Sequence, residues 1–177
     1  DRTRQICNGW RSDNTVARIV LSAKIGECCA RLAGWKGARM GQDNVLWKPP
    51  GAKSLGFHQD DSYCHWVVPA GYVTCWMTLD DTLAAGGTIE YARGSHLWPL
   101  SKPKGKFHAP DDYRATLRDA AAEVGGTIDI VPIEVKAGDA VIHHGHVWHG
   151  SGPNTAAVPR RSLVSHCISA ACRFHET

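Results

Sequence analysis

Residues Gly138 to Asn154 read GDAVIHHGHVWHGSGPN, and upstream stands the short run His58-Gln59-Asp60. Arg160 follows His149 by eleven residues. The run before Gly145 is β-leaning, and a Gly/Pro-rich stretch closes the segment, as at a strand end followed by a turn. On a strand, residues i and i+2 face the same side. His58 and Asp60 are therefore expected to project together, with Gln59 and Asp61 turned away. Two ligands from one strand cannot complete one face of an octahedral ion. A third has to come from a distant strand.

Four histidines, His143, His144, His146 and His149, compete for that place. His149 is preferred because it opens the HGSGPN segment and fixes the interval to Arg160. His143, His144 and His146 are read as packing residues or as partners of the ligands. Two imidazoles and one carboxylate with open positions form the facial set associated with non-haem Fe(II) and oxygen chemistry.

Outward from these segments, the chain from about Met40 is a series of short β-leaning runs separated by Gly, Pro and Asp. They are 44–47, 56–58, 72–79, 88–91, 128–131, 140–143 and 161–169. Such a series argues for a sandwich or barrel. Before it, Thr15 to Ala33 carries apolar residues at helical spacing, with Ser12 or Asp13 as a start and Gly34 as an end. Pro110, Asp111 and Asp112, with Gly125-Gly126 beyond, frame a second helix from about Asp111 to Val124.

The segments KPPG (Lys48 to Gly51), HQD, GGTIEYARGSH (Gly86 to His96), GDAVIHHGHVWHGSGPN and PRR (Pro159 to Arg161) resemble the phytanoyl-CoA dioxygenase family. The resemblance covers roughly residues 40–170. It implies a mainly β protein, a double-stranded β-helix (a jelly-roll, cupin-like barrel) with flanking α-helices. It also implies Fe(II) on His58, Asp60 and His149, 2-oxoglutarate as co-substrate, and O2. Arg160 would hold the distal carboxylate of the keto acid, because a planar fork suits bidentate binding of a carboxylate. Ser151 would assist it. Trp76, eighteen residues after His58, and Asn44, on the strand leading to Lys48, would line the co-substrate pocket. Lys48 and Thr88 are further candidates. A carboxylate at position 60 implies hydroxylation, with release of succinate and CO2, rather than halogenation.

Two other readings stay open. One is a cupin-like metalloenzyme that does not use 2-oxoglutarate and has no need of Arg160; the other is a non-catalytic metal-binding barrel. Metal content together with keto-acid turnover separates them.

A chain of 177 residues suits one domain. The expected layout is a helical flank over about 12–34, a barrel over about 40–172 and a loop–helix insertion over about 102–126. The insertion is expected to border the mouth of the site. A net charge of +3 is too mild to argue for nucleic acid. No apolar run approaches the ~20 residues of a membrane helix. Seven cysteines without a C-x-x-C read as reduced thiols of an intracellular, cytoplasmic protein. The substrate is expected to be a small molecule. The sequence starts at Asp1 without Met and is short for the family, so a piece of a longer chain is expected, with targeting segments unreadable.

Overall fold

The structure is a computed structural model, and it describes residues 2–175. Eleven strands and three α-helices follow in chain order: β1 (Arg4–Cys7), α1 (Asn14–Val20), α2 (Ala23–Ala33), β2 (Ala38–Lys48), β3 (Leu55–His58), β4 (Val67–Val68), β5 (Val73–Thr78), β6 (Glu90–Ala92), α3 (Ala115–Val124), β7 (Ile130–Pro132), β8 (Ala140–His144), β9 (His149–Ser151), β10 (Arg160–Ser169) and β11 (Arg173–Phe174). They form a five-stranded sheet ordered β1-β2-β10-β5-β8, a four-stranded sheet ordered β3-β9-β6-β7, and the small pair β11-β4. All pairings are antiparallel. The expected mainly β jelly-roll is found as two separate sheets packed face to face.

Alternation decides what the two sheets enclose. On β10, Arg160, Ser162, Val164 and His166 share one face. Across the ladder they meet Lys48, Leu46, Asn44 and Gln42 of β2. On the other side, Ser162, Val164 and His166 meet Thr78, Trp76 and Thr74 of β5. In the middle of this inner face Trp76, Val164 and Ile89 form an apolar floor with Leu46, Tyr91 and Val141. Polar residues collect at its two ends.

Helices cover the outer faces. Cys29 of α2 packs on Val73, Cys75 and Cys167 of the larger sheet. Leu117 and Ala120 of α3 pack with Phe57, Ala92 and Trp148 on the outside of the smaller one. The single helix expected over Thr15 to Ala33 is two, broken at Leu21–Ser22. Asp13 caps the first by accepting from the amides of Thr15 and Val16, and Gly34 ends the second in the left-handed region. The helix expected from Asp111 starts at Ala115 instead. The carbonyl of Tyr113 accepts from Phe57 N at 2.9 Å, which pulls the preceding residues out of the helical ladder. Trp148 belongs to the packing under α3. All seven cysteines are free thiols.

Candidate active site

β3 ends at His58, and Asp60 opens a short 3-10 turn, so the shared-strand geometry expected for the pair does not hold. The pair converges all the same, because the turn swings the Asp60 carboxylate back under His58. His149 starts β9, directly opposite His58 in the ladder. One atom from each of His58, Asp60 and His149 lies within 4.8 Å of the others. His58 Nε2 and His149 Nε2 are each 3.5 Å from Asp60 Oδ1.

The hydrogen bonds say where the protons are. His58 Nδ1 lies 3.0 Å from Gly56 O, and His149 Nδ1 lies 3.0 Å from Val147 O. A carbonyl only accepts, so each Nδ1 carries a proton, and a neutral ring then presents the lone pair of its Nε2. With both rings neutral, two lone pairs face a carboxylate oxygen with no proton between them. A cation suits such a set, and anchoring of the second ring nitrogen is the usual support of a metal-bound histidine.

Burial and the neighbouring His58 imidazole push His149 well below the usual histidine range, which keeps it neutral. Burial opposes the charge of Asp60, but His149 and His166 beside it and the hydrogen bond from His143 hold its carboxyl well below the usual carboxylate range.

The hydrogen bonds to Asp60 go to Oδ2, leaving Oδ1 for the cluster. Thr74 Oγ1 donates to Oδ2 at 2.7 Å, and His143 Nε2 lies 3.1 Å from it. His143 must donate to the carboxylate, so its Nδ1 accepts from the Tyr91 hydroxyl at 2.7 Å. Thr74, having donated, accepts from His166 Nδ1 at 2.9 Å. His166 Nε2 then accepts from Asn44 Nδ2 at 3.0 Å. Asn44 Oδ1 takes a bond from Gln5 Nε2 at 3.0 Å, which fixes its amide orientation. Two one-directional chains thus end on the same oxygen.

Asp61 points elsewhere. It accepts from Tyr72 N at 2.6 Å and faces His146 Nε2 at 3.2 Å. Gln59, turned from the cluster as expected, donates to His146 O at 2.8 Å and accepts from Ser101 N at 2.8 Å, tying the 99–101 segment to the turn.

A cavity of about 380 Å³ opens between the sheets and joins this cluster to the other polar end. His58, Asp60, His143, His149, Thr74, Asn44, Trp76, Ser151 and Arg160 all contribute to its walls. Arg160 is 3% exposed. Its Nη1 donates to Ser162 Oγ at 2.9 Å and its Nη2 to Gly87 O at 3.0 Å, while the buried Nε has no partner. The guanidinium lies over the Trp76 ring, 5.7 Å from its centroid. Burial draws Arg160 down to about 10, which still leaves it charged at neutral pH.

Gly87, at φ +66°, makes the close approach possible: a Cβ there would lie 2.7 Å from Gly152 O and 2.9 Å from Lys48 Cε. Arg161 faces outward and is ion-paired with Asp80. A buried cation with an unused donor in a cavity is a fit for a carboxylate that the protein does not itself supply.

Thr74, Tyr91 and His166 were not singled out as members of this site by the sequence, whereas His143, read there as a packing residue or a partner of the ligands, is a partner of Asp60. Their participation depends on ladder register, and no interval in the chain encodes it. Thr88 lies apart from the cavity wall, bonded to the carbonyl of Ile133.

Fold and cluster together describe a jelly-roll with a His/Asp/His metal-type set facing a buried arginine. Residues 5–162 match the phytanoyl-CoA dioxygenase (PhyH) family, and the chain belongs to it. Phytanoyl-CoA dioxygenase 1 of Oryza sativa subsp. japonica is 30% identical over 128 residues, covering 72% of this chain and 43% of that protein. Phytanoyl-CoA dioxygenase domain-containing protein 1 of Danio rerio is 28% identical over 158 residues, covering 85% and 52%. The chain thus spans about half the length of these curated relatives. The epimerase SnoN, solved in complex with Fe3+, alpha ketoglutarate and nogalamycin RO, superimposes with a TM-score of 0.79 at 22% identity, over 98% of this chain and 66% of that one. At that identity the likeness establishes the shared fold.

Proposed function

We propose that the protein is an Fe(II)- and 2-oxoglutarate-dependent oxygenase that hydroxylates a C–H bond of a small organic substrate. The observation that carries this is one cavity holding both the His58/Asp60/His149 cluster and a buried Arg160 that hydrogen-bonds no carboxylate and whose Nε has no partner. His58, Asp60 and His149 would hold the metal. Arg160 would pair with the distal carboxylate of the keto acid, with Ser151 as a second donor and Trp76 and Asn44 on the walls. When bound, Fe(II), 2-oxoglutarate and O2 supply oxidative decarboxylation to succinate and CO2 coupled to insertion of oxygen into the substrate.

The chain's own share is positional. Nδ1–H bonds to backbone carbonyls leave Nε2 as the nitrogen each histidine would offer a metal. Thr74 and His143 hold Oδ2, so Oδ1 is the oxygen Asp60 would offer. Trp76, Ile89 and Val164 keep the middle of the cavity apolar between its two polar ends.

The test is anaerobic loading with Fe(II), then a panel of small molecules with succinate release as readout. Stoichiometric metal that requires His149, together with 2-oxoglutarate consumption that requires Arg160, is the expected result. Metal binding with no affinity for the keto acid would replace this reading by the cupin-like one.

A further inference from the structure

Behind the end of the cavity that Arg160 and Ser151 line lies a second buried basic side chain. Lys48 has no exposed surface and sits opposite Arg160 in the β2–β10 ladder. Its Nζ donates to Ser151 Oγ at 2.7 Å and to the carbonyl of Gly152. The acidic groups that act on the two cations are committed to others: Glu90 pairs with Arg114, and Asp80 with Arg161. Two neighbouring buried cations without an anion are costly, and the one able to lose its proton relieves the strain.

We propose that Lys48 is a protonation-gated positioning residue for the co-substrate: 2-oxoglutarate binding beside Arg160 and Ser151 draws one solvent proton onto Lys48 Nζ. This rests on the oxygenase reading above.

The chemistry follows from donor counting. An ammonium has only donors, so Ser151 Oγ must accept from it, and the serine's own proton is left to point into the cavity that Ser151 lines. A neutral amine has a lone pair that can take the serine proton, and the hydroxyl is then lost as a donor to the carboxylate. Burial, with Arg160 next to it and Glu90 in partial opposition, brings Lys48 down to about 7, so both states are accessible near neutrality.

The ionisable surroundings of Lys48 are few. β10 offers Arg160, and β6 offers Glu90. On β1, Arg4 is stacked over Trp47. The turn at Ala84–Gly87 and the Ser151–Asn154 segment bring no ionisable side chain. An arriving dicarboxylate adds the missing anion and raises the affinity of Lys48 for its proton.

The experiment is calorimetric titration of the Co(II)-loaded protein with 2-oxoglutarate, in phosphate and in Tris, from about pH 6 to about pH 8. Both carboxylates of the ligand and the metal ligands are already deprotonated over that range, so the difference in heat between buffers reads proton uptake. The expected result is uptake approaching one proton at the upper end, with Kd rising about tenfold across the range. In Lys48→Met and in Lys48→Arg, whose charge is permanent, the uptake disappears and the pH slope flattens. Equal heats in both buffers at every pH, with binding intact, would overturn the proposal. So would uptake that persists in both variants. The buffer comparison on the unsubstituted protein decides even if one variant fails to fold. Absence of any 2-oxoglutarate binding while Co(II) is held would instead overturn the oxygenase reading itself, and this inference with it.

Discussion

At the scale of single residues, Arg160 and Arg161 are adjacent in the chain yet opposite in environment. Arg160 is buried beside Trp76; Arg161 is ion-paired with Asp80 at the surface. Removing one partner of a buried charge pair costs about 3–5 kcal/mol. Arg160→Ala should therefore raise the Kd for 2-oxoglutarate by at least a hundredfold. Arg161→Ala, which breaks an exposed pair worth about 1 kcal/mol or less, should leave it within about twofold. Titrating both variants with 2-oxoglutarate decides; equal effects would deny Arg160 its role.

Lys48 makes a separate prediction about the protein without ligand. Its folded value of about 7 lies below the ordinary 10.5. Across that window the unfolded chain binds the extra proton, so stability rises with pH, by up to about 1.4 kcal/mol per unit. Below about pH 7 both states hold the proton and the contribution is flat. Denaturant melts of the wild type and Lys48→Met should differ by a gap that moves in favour of the wild type as pH rises from about 7 to about 10. A constant gap would mean that Lys48 keeps its ordinary affinity.

At the scale of elements, the inner face of the larger sheet is written in period two, and the ladders convert that period into a site. His58, Asp60, His149 and Arg160 were legible because short intervals hold them: two residues within HQD, eleven from His149 to Arg160. The support of Asp60 was not legible. Thr74 and His166 meet because β5 pairs with β10 in one register, and a slip of one residue would send both to the outer face. The helices show the same limit. The apolar pattern from Thr15 to Ala33 is continuous enough to read as one helix, and the break falls where Ser22 adopts an extended backbone and starts the second helix.

The two chains ending on Asp60 Oδ2 define a prediction for these strands. Thr74→Val keeps the shape and removes one donor, leaving a buried carboxylate with less support. Metal affinity, measured by competition with a chelating dye, should fall about 10–100-fold. Tyr91→Phe frees His143 Nδ1 and should produce a smaller loss in the same direction. If Thr74→Val binds metal as tightly as the wild type, the chains carry no orienting role.

At the scale of the whole molecule, the segment between β6 and β7 divides into two parts with different tasks. The reading of the sequence placed all of Lys102 to Gly126 at the mouth of the site. In the structure the loop alone reaches it. Gly56 N donates to Phe107 O at 2.9 Å and Ala109 N to Ser54 O at 3.0 Å, so the loop runs along the edge of β3. This places the Phe107 ring edge-on to His58, with centroids 4.8 Å apart, on the cavity wall. α3 lies on the far side of β3, where Leu117 is fully buried among Phe57, Ala92, Ala120 and Trp148.

The two parts should respond differently to substitution. Leu117→Ala leaves a hole in a packed layer and should cost about 2–5 kcal/mol of stability. Below the lowered melting point, coupling of succinate formation to product formation should remain intact. Phe107→Ala removes an aromatic wall beside the cluster. It should leave the fold and metal affinity unchanged while raising the KM for the organic substrate and releasing succinate without matching product, because a widened mouth admits water. Melting curves, metal titration and the ratio of product to succinate separate the two outcomes. If Phe107→Ala stays fully coupled with an unchanged KM, the 102–109 loop is edge protection for β3 and recognition lies in another part of the protein.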